Sequence, residues 1–299
     1  MAEGPHKTEA RLPASREDFE RRVAVLLEAL PYIRDFAGAT VVIKYGGAAM
    51  TTPELKASFA RDVALLKLVG MRPVVVHGGG PDISRYSDRL GLEVRFVQGL
   101  RVTDASTMEL VKMVLVGKIN KEIVAQLHVA GVSAVGLAGD DARLITAAKE
   151  DRPDADLGFV GRVAAIDPRV LTCLGEFVPV VASVGVDEDG QSYNINADTV
   201  AGALAAALGA RKAIFLTDVE GLYADVTDRT SLVSECDLAT LEEMMASGAV
   251  GAGMIPKLRA VGDALRGGVE AAHIVDGRVP HSVLMELLTE AGIGTKITA

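Results

Sequence analysis

Tryptophan is absent from the 299 residues, and all aromatics together make up only 4% of them. Any core must therefore be built from aliphatic side chains. Cysteine is nearly absent as well. Cys173 and Cys236 lie far apart, with no C-x-x-C and no Cys/His grouping. This argues against a disulfide framework and a zinc site and favours two thiols in a reducing cytoplasm. No apolar run approaches the length of a membrane-spanning helix. The opening MAEGPHKTEARLPASRED is polar and charged, unlike a secretory signal, and residues 1–14 read as a disordered lead-in. Positive charge is in deficit: the net charge is −9 and the pI near 5.2, so neither nucleic acid nor an anionic membrane is expected as a partner. There is no Pro/Ser-rich linker, low-complexity tract or short repeat.

What is present is an ordinary soluble composition, 49% hydrophobic and 24% charged, with an abundance of glycine at 31 residues. The length suits one large or two modest domains. Residues 15–36 have apolar side chains at helical spacing (Phe19, Val23, Leu26, Leu27, Leu30), with Ser15 placed as an N-cap and Pro31 expected to kink or interrupt the helix. Such a helix either packs on its own domain or docks on a neighbouring subunit, and periodicity does not choose between them. Beyond it, continuous apolar runs alternate with helices. The strands are Thr40–Lys44, Pro73–His77, Val132–Leu137, Val178–Ser183, Lys212–Asp218, Ala272–Val275 and Thr295–Ile297. The helices are Leu55–Leu68, Pro81–Leu90, Ala197–Leu208, Leu238–Met245, Ile255–Leu265 and Ser282–Leu288. Uninterrupted apolar strands between helices predict an α/β fold with a largely parallel sheet covered on both faces. Residues 140–175 are expected to include an antiparallel hairpin. A soft boundary falls near residue 190, inside one continuous sheet.

Two strands end in glycine clusters, Gly46-Gly47 and Gly78-Gly79-Gly80. Ligands of open α/β sheets bind at the carboxyl ends of strands, where glycine lets backbone N–H groups approach an anion. Either turn alone reads equally as a tight turn. The dinucleotide fingerprint is missing, because Ile83 stands where its last glycine would be. The P-loop is missing too, because Gly117-Lys118 is followed by Ile119 and has no glycine at the required spacing.

Three charged residues are out of place in their segments. Lys44 ends an apolar strand, Asp198 follows Asn194 and Asn196 at a helix start, and Lys257 lies where the glycine-rich loop GAGMIPK turns into a helix. Singly, each has a plain alternative: a strand-end lysine reaching solvent, a first-turn acid on the helix dipole, a surface helix lysine. Together they suit phosphoryl transfer, which needs positioning and charge neutralisation more than a strong base. A carboxylate nucleophile is already ionised at neutral pH, consistent with the lack of an obvious catalytic histidine. His77, at a strand end, reads as structural.

IKYGGAAM, VVVHGGGP, GLRVT, NINAD, LTDVEGLY and GAGMIPK occur in this order across nearly the whole chain. Together they resemble the amino acid kinase family, and within it the branch that phosphorylates N-acetyl-L-glutamate. The resemblance implies a three-layer αβα sandwich around a mainly parallel open sheet, with an N-terminal extension helix. It implies a lead-in and helix at 1–37, an acyl-amino-acid lobe at 38–190 and an ATP lobe with a C-terminal effector segment at 191–299. Lys44 and Lys257 match the lysines that meet the transition state, and Asp198 the aspartate that orients them. Gly46 and Gly47 match the turn touching the transferring phosphate, and Gly79 and Gly80 the turn beside the acyl-glutamate. Arg101 and Asn194 match substrate contacts, and Asp218, Gly221, Tyr223, Gly251 and Gly253 the ATP side. Mg²⁺ is implied on the ATP phosphates, with no direct protein ligand. The segment HIVDGRVPHSVLMELLTEAGIGT resembles the form inhibited by L-arginine, in a homo-hexamer built as a trimer of dimers. His273, Glu286 and Gly292 match the effector site, with Tyr32 on the N-terminal helix nearby. The stretch GDDARL fits less closely. Two other readings share the fold: a kinase acting on a carrier-protein-linked aminoadipate or glutamate, and a catalytically silent amino-acid sensor.

Overall fold

The computed structural model describes residues 15–299 apart from Val226, Ala249, Ala252, Glu290 and Ala291; the lead-in assigned to residues 1–14 lies outside them. Strand β1 (Thr40–Tyr45) runs down the middle of the molecule, paired in parallel with β2 (Arg72–His77) on one side and with a later strand, Lys212–Thr217, on the other. Its alternation explains the layers. Val41, Ile43 and Tyr45 enter one core while Val42 enters the other, so both faces are apolar and both need a helical cover.

The first core takes its helical cover from α2 (Pro53–Leu68), through Phe59 and Val63, and from later helices. Tyr45 stacks flat on Phe59, ring centroids 3.7 Å apart, and this fixes the end of β1 against α2. After β2 come α3 (Gly80–Leu90), the small hairpin of β3 (Phe96–Val97) and β4 (Leu100–Arg101), and α4 (Ala105–Lys112). The chain then winds through a π-helical stretch, Met113–Ile119, directly into α5 (Asn120–Val129), whose Ile123 and Leu127 complete this part of the first core.

Strand β5 (Ala134–Leu137) precedes the expected hairpin, which is β6 (Ile145–Lys149) against β7 (Val160–Ile166), antiparallel. The hairpin belongs to a larger unit. After α6 (Arg169–Cys173) and β8 (Val178–Ala182), strands β9 (Val184–Val186) and β10 (Ser192–Ile195) join β6 and β7 in a closed four-stranded barrel. Because β10 pairs with both β7 and β9, the barrel straddles residue 190.

The second half supplies α7 (Ala197–Ala207), β11 (Lys212–Thr217), the hairpin of β12 (Leu222–Tyr223) and β13 (Leu232–Val233), β14 (Glu235–Asp237), α8 (Leu238–Ser247), α9 (Ile255–Arg266), β15 (Ala271–Asp276), α10 (Ser282–Leu288) and β16 (Thr295–Thr298). Helices α7, α8 and α9 cover the second core with Val200, Leu204, Leu241, Leu258, Val261 and Leu265, and α10 adds Val283 and Leu287 to the first. The sheet has eight strands in the order β14-β16-β15-β11-β1-β2-β8-β5, antiparallel only between β15 and β16. This is a three-layer sandwich on a mainly parallel open sheet.

Helix α1 (Arg16–Phe36) continues through Pro31 as one element. Its last turn is fixed: Phe36 is buried, and Arg211 bonds the Asp35 carbonyl at 2.5 Å and lies over the Phe36 ring. Its earlier turns leave Phe19, Val23, Leu26, Leu27 and Leu30 exposed, Leu26 by 70%. No described helix is long and apolar enough to cross a membrane.

Candidate active site

Lys44 follows Val42 on the same side of β1, so it faces the layer made by α7 and α9. The sequence NINAD begins α7 with a side-chain cap. Asn196 Oδ1 accepts from the amides of Asp198 at 2.8 Å and Thr199 at 3.3 Å, satisfying donors that a helix start leaves free. Asp198 is thereby held in the first turn. Lys257 is the third residue of α9, which packs along α7. The three side chains converge: Lys44 Nζ lies 3.3 Å and Lys257 Nζ 2.7 Å from Asp198 Oδ1. Burial pushes the Asp198 carboxyl up, but the two ammonium groups outweigh it and hold the carboxyl below its usual range. Burial pushes Lys257 down, Lys44 adds to the effect, and Asp198 offsets part of it. The result is an ionised acid that uses part of each lysine's donor capacity and leaves the rest free.

Two cavities adjoin at this trio and share Lys44, Gly46, Gly47 and Asp198. The larger, of about 520 Å³, is bounded also by Lys257, Thr217, Asp218, Gly251 and Gly253. Asp218, Gly251 and Gly253, matched by resemblance to the ATP side, therefore line one cavity with the lysines. Gly221 and Tyr223 do not line that cavity. They sit at the β12–β13 hairpin, where Gly221 packs against Thr295 and the Tyr223 hydroxyl bonds Glu220. The smaller cavity, of about 290 Å³, is lined by Gly78–Gly80, Phe96, Arg101 and Asn194, with Leu115 beneath. It draws on the ends of β1 and β2, the β3–β4 hairpin and barrel strand β10.

The glycine turns have distinct reasons. Gly47 has φ of 60°, a left-handed backbone that other residues resist. Gly79 is extended, but a Cβ there would stand 2.2 Å from Ile119 Cδ1 and 2.7 Å from Leu115 Cδ2; the turn rests directly on the π-helical stretch. Arg101 is buried. Its Nη2 donates to the Gly80 carbonyl at 3.1 Å and to Ser84 Oγ at 2.6 Å, its plane lies over Phe96, and its Nη1 is buried without a partner among the described residues. A buried guanidinium nitrogen without a partner is an unsatisfied cationic donor beside this cavity, chemistry suited to an anion. Asn194 bonds Thr103 Oγ1 at 3.3 Å.

Of the residues matched to an effector, His273, Glu286 and Gly292 gather elsewhere, between β15 and α10. His273 Nδ1 lies 2.6 Å from Glu286 Oε1, while Glu286 Oε2 accepts from the amides of Ile293 at 2.8 Å and Gly294 at 2.9 Å. Gly292 begins that loop, and a Cβ on it would lie 2.8 Å from Glu286 Oε2. Tyr32 packs on the first core from α1, which touches α10. Burial raises the Glu286 carboxyl, but the bonds from His273 and the two amides leave it lowered.

Sequence reasoning missed Asn120, which is fully buried beneath the Gly78–Gly80 turn. A polar amide inside an apolar helix needs buried partners, and that was the available signal. Among the described residues, no three or more His, Cys, Asp or Glu side chains gather as a metal site.

The amino acid kinase family model matches residues 39–276. The chain belongs to that family. It is 56% identical over 284 residues to acetylglutamate kinase of Symbiobacterium thermophilum, covering 92% of this chain and 97% of the relative. It is 54% identical over 282 residues to the chloroplastic acetylglutamate kinase of Arabidopsis thaliana, covering 93% of this chain and 80% of that protein. Among solved structures, N-acetylglutamate synthase of Neisseria gonorrhoeae, in complex with coenzyme A and N-acetyl-glutamate, superposes with a TM-score of 0.83 at 25% identity, covering 93% of this chain. This chain spans 63% of that synthase.

Proposed function

We propose that this amino acid kinase transfers the γ-phosphoryl group of ATP to the side-chain carboxylate of N-acetyl-L-glutamate, yielding N-acetyl-L-glutamyl 5-phosphate and ADP in arginine biosynthesis. The observation that carries the reading is the single carboxylate, Asp198, that holds Lys44 and Lys257 at the junction of two cavities. The larger cavity takes ATP and the smaller takes the acceptor. An acceptor carboxylate oxygen attacks the γ-phosphorus as the bond to the β–γ bridging oxygen breaks. No proton has to be removed first. The lysines meet charge on the transferring group, which is where stabilisation matters most in such a loose transition state. Mg²⁺ bound to the ATP phosphates would supply charge screening, and no residue of the chain is assigned as its ligand. Arg101 holds the acceptor's α-carboxylate, and Gly46, Gly47, Gly79 and Gly80 offer amides. Asp218, Gly251 and Gly253 stand on the ATP side. The relatives' printed activity and the orphaned Arg101 nitrogen support the substrate assignment.

The finer reading is a cytoplasmic homo-hexamer, a trimer of dimers, inhibited by L-arginine. The bare apolar stripe of α1 supports docking of that helix on another copy. The contacts among His273, Glu286 and Gly292 support an effector site, with Glu286 as a guanidinium partner and Tyr32 supplied by α1, which touches α10. We propose an acyl-amino-acid lobe at 38–190 and an ATP lobe at 191–299, with β10 of the second completing the barrel of the first.

The deciding experiment is acyl-phosphate formation from ATP, Mg²⁺ and N-acetyl-L-glutamate, trapped with hydroxylamine, with and without L-arginine. Product that arginine suppresses is the expected result. Product that ignores arginine removes the effector reading alone, and a folded protein that makes none overturns the kinase assignment.

A further inference from the structure

His77 closes β2 with its ring fully buried, and the phosphoryl-transfer machinery leaves it unused. Its Nε2 lies 3.1 Å from Asn120 Nδ2 and its Nδ1 3.0 Å from the carbonyl of Gly78. The hydrogen positions are forced by the surroundings. Asn120 Nδ2 also faces the carbonyls of Val180 at 2.8 Å and Leu137 at 3.4 Å. Carbonyls only accept, so this atom is the amide nitrogen and donates. His77 Nε2 must then accept, the ring proton resides on Nδ1, and Nδ1–H donates to Gly78. Burial holds the ring neutral, with a pKa lowered to about 4. Every peptide among the described residues is trans, so a Gly78 carbonyl drawn to the ring leaves the Gly79 N–H pointing the opposite way. Gly79 lines the smaller cavity and lies at the N-terminal end of α3, where amides lack intrahelical partners.

We propose that His77 and Asn120 are a positioning pair for the reaction: Asn120 selects the ring tautomer, and the ring fixes the Gly78–Gly79 peptide so that the Gly79 amide donates to the acceptor carboxylate. The π-helical stretch is part of the device. It presses Leu115 and Ile119 under Gly79 and brings Asn120, the next residue, within reach of the ring. Local π geometry recurs at functional sites for this kind of re-aiming. The inference rests on the reading that the Gly78–Gly80 turn faces the acyl-glutamate.

Two measurements test it. In protein labelled with ¹⁵N-histidine, which has five histidines, ring correlations of His77 should show a neutral imidazole protonated on Nδ1. A proton on Nε2, or a charged ring at neutral pH, overturns the proposal whatever the substrate is. In kinetics with N-acetyl-L-glutamate, His77→Leu keeps the volume and removes the donor. Its kcat should fall about 10- to 100-fold, somewhat less than deleting an oriented donor outright, while the Kd for ADP stays within about twofold. His77→Asn places an amide N–H near the Nδ1 position and should recover most of the loss. An unchanged kcat in folded His77→Leu, or an asparagine variant no better than leucine, refutes the pair. Should the leucine variant not fold, Asn120→Ser takes its place. It should lower kcat and reduce the Nδ1-protonated population together, and no change in either refutes the pair. Wild-type protein inactive on N-acetyl-L-glutamate would sink the substrate reading alone, and the tautomer would still decide for the pair.

Discussion

Asp198 has two cationic partners and one carboxylate, so neither lysine is fully neutralised by it. That residual charge faces the junction of the cavities. Lys257→Ala should lower kcat by about 100-fold or more, with a much smaller change in KM, because charge on the transferring group grows toward the transition state. Equal turnover in steady-state assays would remove Lys257 from the chemistry. Arg101→Ala should instead raise KM for N-acetyl-L-glutamate by about 10- to 100-fold, the worth of a charged hydrogen-bonded pair, with the KM for ATP nearly unchanged; a normal acceptor KM excludes the contact. Lys44, Asp198 and Lys257 were each legible as an oddity in the sequence: a lysine ending an apolar strand, an acid after two asparagines, a lysine after a glycine loop. Their convergence was not legible, since residues 44, 198 and 257 meet only through the packing of α7 on β1 and of α9 on α7. Tyr223 and Gly221 show the reverse case. They sit in a conspicuous motif, yet the hairpin that carries them stands outside the cavity wall.

Strand and helix positions were legible to within a few residues wherever the apolar runs were long, because a strand buried on both faces has no polar alternation to confuse it. The barrel strands β9 and β10 were not legible, being short and paired over long sequence distances. Nor was the π-helical stretch, whose extra residue per turn breaks the helical period. A second local arrangement hidden from the sequence joins α2 to α10. Asp62, buried in α2, accepts from His281 Nδ1 at 2.6 Å and from the amides of Val283 and Leu284. Burial nevertheless raises its carboxyl from 3.8 to about 6. A folded-state pKa above the unfolded value means that the folded protein holds a proton the unfolded chain has lost between about pH 4 and 6. Stability should therefore fall as pH rises through that window, by up to about 3 kcal/mol. Asp62→Asn cannot titrate, so its melting temperature should change less with pH between 4 and 6 than that of the wild type. Parallel Tm–pH curves for the two proteins would contradict this account.

For the whole molecule, the unbalanced feature is α1. Its last turn is tied to the body through Arg211 and Phe36, while the stripe of Phe19, Val23, Leu26, Leu27 and Leu30 is left exposed by the described residues. Periodicity revealed the stripe but not its exposure, which depends on where the helix emerges from the sheet. On the proposed docking of α1 between copies, charge at its centre, Leu26→Glu with Leu30→Glu, should leave a smaller, still folded species by light scattering and weaken the proposed arginine inhibition. An assembly of unchanged mass would refute docking of this helix between copies. The strand order has a consequence in time. Strand β16 lies between β15 and β14, both made before it, and Thr295 on it accepts from the Leu222 amide at 2.8 Å and donates to the Val233 carbonyl at 2.6 Å. During synthesis from the N-terminus, the ribosome can release the chain that lines both cavities, which ends at Lys257, while the edge of the sheet still has a gap one strand wide. A nascent chain stalled before residue 295 would thus carry every residue that lines the two cavities and still lack the strand that joins β14 to the sheet.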